Sequence, residues 1–195
     1  IRDFHVTGVQ TCALPILPFI YYGEEIGMQG KKPDPQIRRP MQWSNAPFAG
    51  FSSHDPWIEL DERAIETTVA GQVTDPHSLL SWYRDLIHLR INNPLLALAS
   101  SQPLESSERS LYAALRTRGN RALLIVVNLG DTAKTNYSLT LPASKLSRGR
   151  ALLIPMLGRS PPATIRVERG GAISLENSLG VLPAGHVEVY RFGLR

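Results

Sequence analysis

Residues 18–43 read PFIYYGEEIGMQGKKPDPQIRRPMQW. The run opens on an apolar and aromatic stretch, Pro18 to Tyr22, and stops at Gly23. Two carboxylates, Glu24 and Glu25, come next. The segment beyond them is rich in Gly, Pro and Arg and follows neither the strand period nor the helix period. A buried strand feeding a long irregular loop is how a sheet edge presents a site. In a barrel of parallel strands that edge carries the chemistry. The stretch therefore predicts a buried strand at 18–22 and a long loop extending to about residue 74.

A helix is expected next, over residues 76–91. Asp75 stands where an N-cap belongs and Pro76 suits the first helical position, with the Asp75 carboxylate placed to accept from the Ser78 amide. Leu79, Tyr83, Leu86, Ile87 and Arg90 recur at steps of three and four, an apolar stripe fit to lie on a sheet. Asn92-Asn93-Pro94 should end it. From about residue 103 onward the pattern is β. Segments 111–117 and 122–129 flank Arg118-Gly119-Asn120-Arg121, which reads as a tight hairpin. Ala122 to Val127 is continuously apolar and predicts a central strand covered on both faces. Short strands at 137–141, 151–155, 164–167, 172–175 and 186–192 complete an antiparallel sandwich.

Charge divides unevenly. Residues 17–100 hold 7 basic and 10 acidic side chains, and residues 101–195 hold 13 and 6, mostly as Arg. These arginines are scattered along the sequence without a block or interleaved aromatics, so they predict a solvated surface and no nucleic-acid partner. No apolar run is long enough for a membrane span, and no membrane partner is expected. His54, His77, His88 and His186 lack ligand spacing, so no metal site is proposed. Asn128 and Asp131 flank a turn and fit turn chemistry better than calcium.

The stretch at 18–43 resembles glycoside hydrolase family 13, the α-amylase and α-glucosidase family, whose eighth barrel strand and exit read close to PFIYYGEEIGM. In one bacterial branch the loop that follows reads close to KPD-x-x-IR-x-PMQW. Lys32-Pro33-Asp34 and Ile37-Arg38-Arg39-Pro40-Met41-Gln42-Trp43 match it, and Ala49-Gly50-Phe51, Pro56-Trp57, Ser78-Leu79-Leu80, Tyr83-Arg84 and Leu86 to Arg90 continue in order. Arg39 departs from the small residue usual in that branch. The resemblance implies an α+β piece: the last strand, long loop and last helix of a (β/α)8 TIM barrel over 17–100, then an antiparallel β-sandwich over 101–195. It also implies a retaining α-glycosidase acting on α-glucans or maltooligosaccharides. A trehalose synthase-like isomerase shares the R-x-PMQW loop, and a non-catalytic carbohydrate-binding or interaction module is a further alternative.

Residues 1–16, IRDFHVTGVQTCALPI, resemble a translated sequencing adapter: the adapter gives IRD, two index residues and then VTGVQTCALPI. They are expected to be non-native, and the single cysteine, Cys12, leaves with them. Localisation stays unassigned.

Retaining glycosidases need two carboxyl groups about 5–5.5 Å apart across the scissile bond. Glu24 and Glu25, as neighbours on an extended chain, would point to opposite faces and cannot clasp one bond. The resemblance places the nucleophile Asp, the acid/base Glu and the stabilising Asp after the fourth, fifth and seventh strands, all upstream. No catalytic residue is therefore assigned. No cofactor is expected, and any calcium in the whole protein would be held by residues outside this chain.

The substrate-binding candidates are Arg38, Trp43, Glu25 and Tyr22. Arg38 offers a planar fork for sugar hydroxyls, or a structural pair with Asp34. Trp43, Trp57 and Phe51 suit stacking on pyranose faces, or pinning of the loop by burial. Glu25 suits a bond to backbone and Arg at the barrel rim, or a part in shaping the pocket. Tyr21 and Tyr22 should alternate across the strand, and Arg39 should meet solvent or a surface partner.

Overall fold

The computed structural model describes residues 19–60, 67–158 and 161–194. The adapter-like segment 1–16 and Pro18 fall outside them. The chain divides into a unit ending at His88 and a unit running from Leu89 onward.

In the second unit every strand pairing is antiparallel. The strands are β1 (Ser100–Pro103), β2 (Glu105–Ser106), β3 (Leu111–Arg118), β4 (Arg121–Asn128), β5 (Ser138–Leu141), β6 (Gly149–Leu157), β7 (Ala163–Val167), β8 (Ile173–Glu176) and β9 (Val187–Gly193). Their order is β1-β3-β4-β9-β6-β7-β8-β5-β2. β6 belongs to two ladders. Its first half pairs with β7, and Ile154, Pro155 and Leu157 pair with β9. The terminal strands β1 and β2 are consecutive in the chain, joined by Leu104, whose amide donates to the Ala113 carbonyl at 2.9 Å. The sheet thereby folds over one apolar core that takes Leu115, Leu124 and Tyr190 from one side and Leu139, Ile165 and Leu175 from the other.

The expected hairpin is present. Arg118 pairs with Arg121, leaving Gly119-Asn120 as the turn. Gly119 has φ +60° at the first central position, the pattern of a II′ turn that matches strand twist. β4 is buried from Ala122 through Asn128, as its unbroken apolar run requires. Asn128 performs turn chemistry: its amide donates to the Thr132, Leu182 and Pro183 carbonyls, and its oxygen accepts from Gly130. The strand pair β1 and β2 gave no signal in the sequence, since Ser, Gln and Glu are weak strand formers.

Three helices are described: α1 (Val69–Gln72), α2 (Leu79–Asn92) and α3 (Pro94–Leu98). α2 starts three residues later than expected. Asp75 accepts from the His77 amide instead of Ser78, and Ser78 serves as the cap, its hydroxyl oxygen accepting from Ser81 at 3.2 Å. Asn93-Pro94 ends α2 and at once starts α3, with Pro94 in the first turn. Arg116, on β3, is fully buried. Its guanidinium donates to the Leu95 and Ala99 carbonyls at 3.2 and 3.1 Å, which satisfies carbonyls at the C-terminal end of α3. Burial, then the charge of Arg90, hold its pKa below the usual arginine value. Among the described residues no helix is long and apolar enough to cross a membrane.

The first unit corrects the strand expected at 18–22. Phe19 to Tyr22 form no strand and are exposed. A strand exists only through a pairing partner, and none is present among the described residues of this unit.

Candidate functional site

The loop that follows Tyr22 is built from tight turns. Gly23 has φ +87° and Gly27 φ +78°, and between them Glu24–Ile26 makes one 3-10 turn. A Cβ on Gly23 would meet Met28 Sδ at 2.6 Å, so both conformation and space demand glycine there. The backbone at Glu24 and Glu25 is thus curled, not extended, and the opposite-face argument fails in its premise. Adjacent positions on one tight turn still cannot flank a glycosidic bond.

Two glutamines lock this turn and the loop beyond it. Gln72 donates from Nε2 to the Ile26 carbonyl at 2.8 Å and accepts at Oε1 from the Leu80 amide at 3.1 Å. It ties the 24–26 turn to the start of α2. Gln42 is 0% exposed, with Met41 buried beside it. Its carbonyl accepts from Val69, and its side-chain oxygen accepts from the Thr67 hydroxyl at 2.6 Å. Thr68 in turn caps α1 by accepting from Gly71. Neither glutamine was singled out from the sequence. Gln72 reaches a partner 46 residues away, which no local pattern encodes.

On this scaffold the candidates are displayed as follows. Trp43 is 50% exposed although the residues before it are buried, and its backbone is pinned through bonds with Ala49 and Ala70. Phe51 and Trp57 are also exposed. The aromatics do not pin the loop by burial; the Met41-Gln42 anchor does. Tyr21 and Tyr22 do not alternate. Both are exposed, with ring centroids 4.8 Å apart, and the Tyr22 hydroxyl donates to the Arg39 carbonyl at 3.1 Å. Partial burial and the adjacent Tyr21 push the Tyr22 phenol up, against a lowering pull from Arg38.

Arg38 pairs with Asp34 at 3.0 Å, the two side chains being 60% and 61% exposed. Pairs this exposed are worth roughly 0–1 kcal/mol. The guanidinium is therefore free to exchange Asp34 for another partner. Arg39 is not a solvent-facing residue: it is half-buried and donates to the Leu60 carbonyl at 3.1 Å. Glu25 is half-buried, and its Oε2 has no hydrogen-bond partner among the described residues. The bond to backbone or Arg expected of it is not formed there. Arg39 Nε and Gln42 Nε2 share that condition. Among the described residues no group of His, Cys, Asp or Glu is arranged to hold a metal.

Comparison with known proteins fits this arrangement. The family model for the alpha amylase catalytic domain matches residues 4–99, taking in most of the adapter-like segment as well as the loop. Alpha-amylase 3 of Dictyoglomus thermophilum is 31% identical over 124 residues, covering 63% of this chain and 24% of the relative. A probable alpha-glucosidase of Rhizobium meliloti is 37% identical over 109 residues, 56% of this chain and 19% of the relative. The fold resembles a crystal structure of an isomaltulose synthase mutant from Erwinia rhapontici NX5 in complex with D-glucose, with TM-score 0.72 and 21% identity over 99% of this chain and 39% of that one. The chain thus spans a quarter or less of the length of these two curated relatives. The chain belongs to glycoside hydrolase family 13, the α-amylase and α-glucosidase family.

Proposed function

We propose that this chain is the C-terminal part of a retaining α-glycosidase acting on α-linked gluco-oligosaccharides. Residues 19–88 would be the exit of the last barrel strand, its loop and the last helix, with the β domain trailing. The loop forms one wall of the sugar site. Trp43 and Tyr22 offer apolar ring faces to a pyranose, and Arg38 donates to sugar hydroxyls or orients a catalytic carboxylate from upstream.

The observation that carries this reading is the contrast at Met41-Gln42-Trp43. Two residues are clamped in the interior, and the next presents half an indole to the outside. A rigid base under an exposed aromatic is what positioned recognition requires. Glu25 Oε2, Arg39 Nε and Gln42 Nε2 have capacity for partners from elsewhere in the protein. Upstream elements of the barrel would supply those partners. The carboxylates that form and hydrolyse the glycosyl-enzyme intermediate lie upstream as well, so this chain binds and orients but does not break the bond.

Hydrolysis is favoured over isomerisation because the matches at 31% and 37% identity are named as an amylase and a glucosidase. The test is the whole protein, expressed after recovery of the upstream coding sequence and assayed on maltotriose. Glucose or maltose should be released with retained anomeric configuration. Arg38→Ala and Trp43→Ala should each lower kcat/KM at least about tenfold, or about 1.4 kcal/mol. A whole protein that leaves maltotriose intact and binds no maltooligosaccharide would overturn the assignment.

A further inference from the structure

The arginines of the β domain are dispersed in sequence, but the sheet register gathers three of them. Arg118 faces Arg121 across the β3–β4 hairpin, and Arg191 on β9 faces Leu123, two residues along from Arg121. Alternation along the strands puts all three on the face opposite the apolar core. They line a cleft of about 710 Å³ together with Asn92 and Asn93. That volume suits one small molecule.

Directly opposed residues on paired strands lie about 5 Å apart, and like charges so placed repel. Among the described residues no carboxylate pairs with Arg118, Arg121 or Arg191; carboxylates elsewhere pair as Arg38–Asp34, Lys134–Glu108 and Arg166–Glu168. The buried Arg116, opposite Leu123, stands on the same face with its guanidinium engaged by the Leu95 and Ala99 carbonyls. A cluster of like charges is matched better by an anion than by a neutral sugar. Guanidinium forks match the oxygen geometry of phosphate, and the asparagine amides add donors, Asn92 with its side chain and Asn93 with the hydrogen left over from its 2.6 Å bond to the Leu89 carbonyl.

We propose that this cleft binds a small phosphate-bearing ligand, held by Arg118, Arg121 and Arg191 with donors from Asn92 and Asn93. The cleft is lined by residues of the second unit alone and does not depend on the proposed glycosidase activity. Its ligand is either inorganic phosphate or a sugar phosphate, which share the recognised group.

Calorimetric titration of the full chain at low ionic strength, against chloride-matched controls, tests it with three probes. Inorganic phosphate and glucose 6-phosphate should each saturate at one per chain. Equal affinities assign the site to the free anion, and tighter glucose 6-phosphate assigns it to a sugar phosphate; both support the site. Glucose should give no binding that the cleft substitutions alter. The double variant R118S/R191S should weaken phosphate at least about tenfold. Arg121→Thr provides a check on folding. It relieves the cross-strand repulsion, so the thermal midpoint without ligand should stay level or rise, while the midpoint gain on adding phosphate should disappear. Heats that never saturate, or saturable binding that survives the double variant, would overturn the proposal.

Discussion

The two units solve the burial problem in opposite ways. From Leu89 onward, nine strands fold over a core that closes on itself, and even the buried Arg116 finds backbone acceptors. Up to His88 the described chain has no sheet. It holds its shape with two glutamines and leaves Phe19, Tyr21, Tyr22, Trp43, Phe51 and Trp57 exposed. The helix stripe tells the same story: Tyr83 and Leu86 are buried, whereas Ile87 is exposed. One region closes a core of its own, and the other leaves large apolar side chains open. Burial and exposure are divided along the chain.

The largest expected effect tests that division directly. Amide hydrogen exchange should find the β4 and β9 amides protected near the global limit, with residues 19–60 opening at least about 3 kcal/mol more easily. Equal protection in the two units would erase the contrast. Next in size is Arg116→Met. Removing charged donors from the Leu95 and Ala99 carbonyls should cost the β domain about 2–3 kcal/mol, read from denaturant midpoints at constant slope. A neutral result would mean that α3 is dispensable to the second unit.

The smallest effect is at Tyr137. Its hydroxyl donates to the Gly180 carbonyl at 2.9 Å, so Tyr137→Phe should cost about 1 kcal/mol at neutral pH. Burial pushes the phenol up, with the Glu188 carboxylate adding to the shift. The folded protein therefore keeps this proton longer than the unfolded chain. The stabilisation is complete below the ordinary phenol value of about 10 and declines as pH rises from there through the raised folded value. Thermal midpoints between about pH 9 and 11 should fall less steeply for the Phe variant. Identical slopes would show that Tyr137 titrates normally.

How much of this was legible in the sequence depends on how local the cause is. The strands of the β domain were readable because alternation, turn residues and the Gly119-Asn120 hairpin are short-range signals. The helix was readable too, but its cap was misplaced by three residues because Asp75 and Ser78 both make good caps and only the fold chooses between them. The 18–22 stretch has strand composition, yet its described residues 19–22 form no strand, since composition cannot supply a partner. The role of Gln42 was hidden: it stands among apolar neighbours, and its contacts lie more than twenty residues away. The arginine cleft was likewise hidden, because Arg118 and Arg191 meet only through the register of β4 and β9. In the candidate site, Arg38 and Trp43 were singled out from motif and resemblance together, whereas the clamp at Gln42 needed the structure.

The central claim is that this chain shapes a sugar site and does not perform the cleavage. Incubating the purified 195-residue chain with maltotriose, and following glucose and maltose by chromatography, tests it most directly. The account predicts no product above the uncatalysed background. Sustained release of either sugar, in proportion to chain concentration, would contradict it.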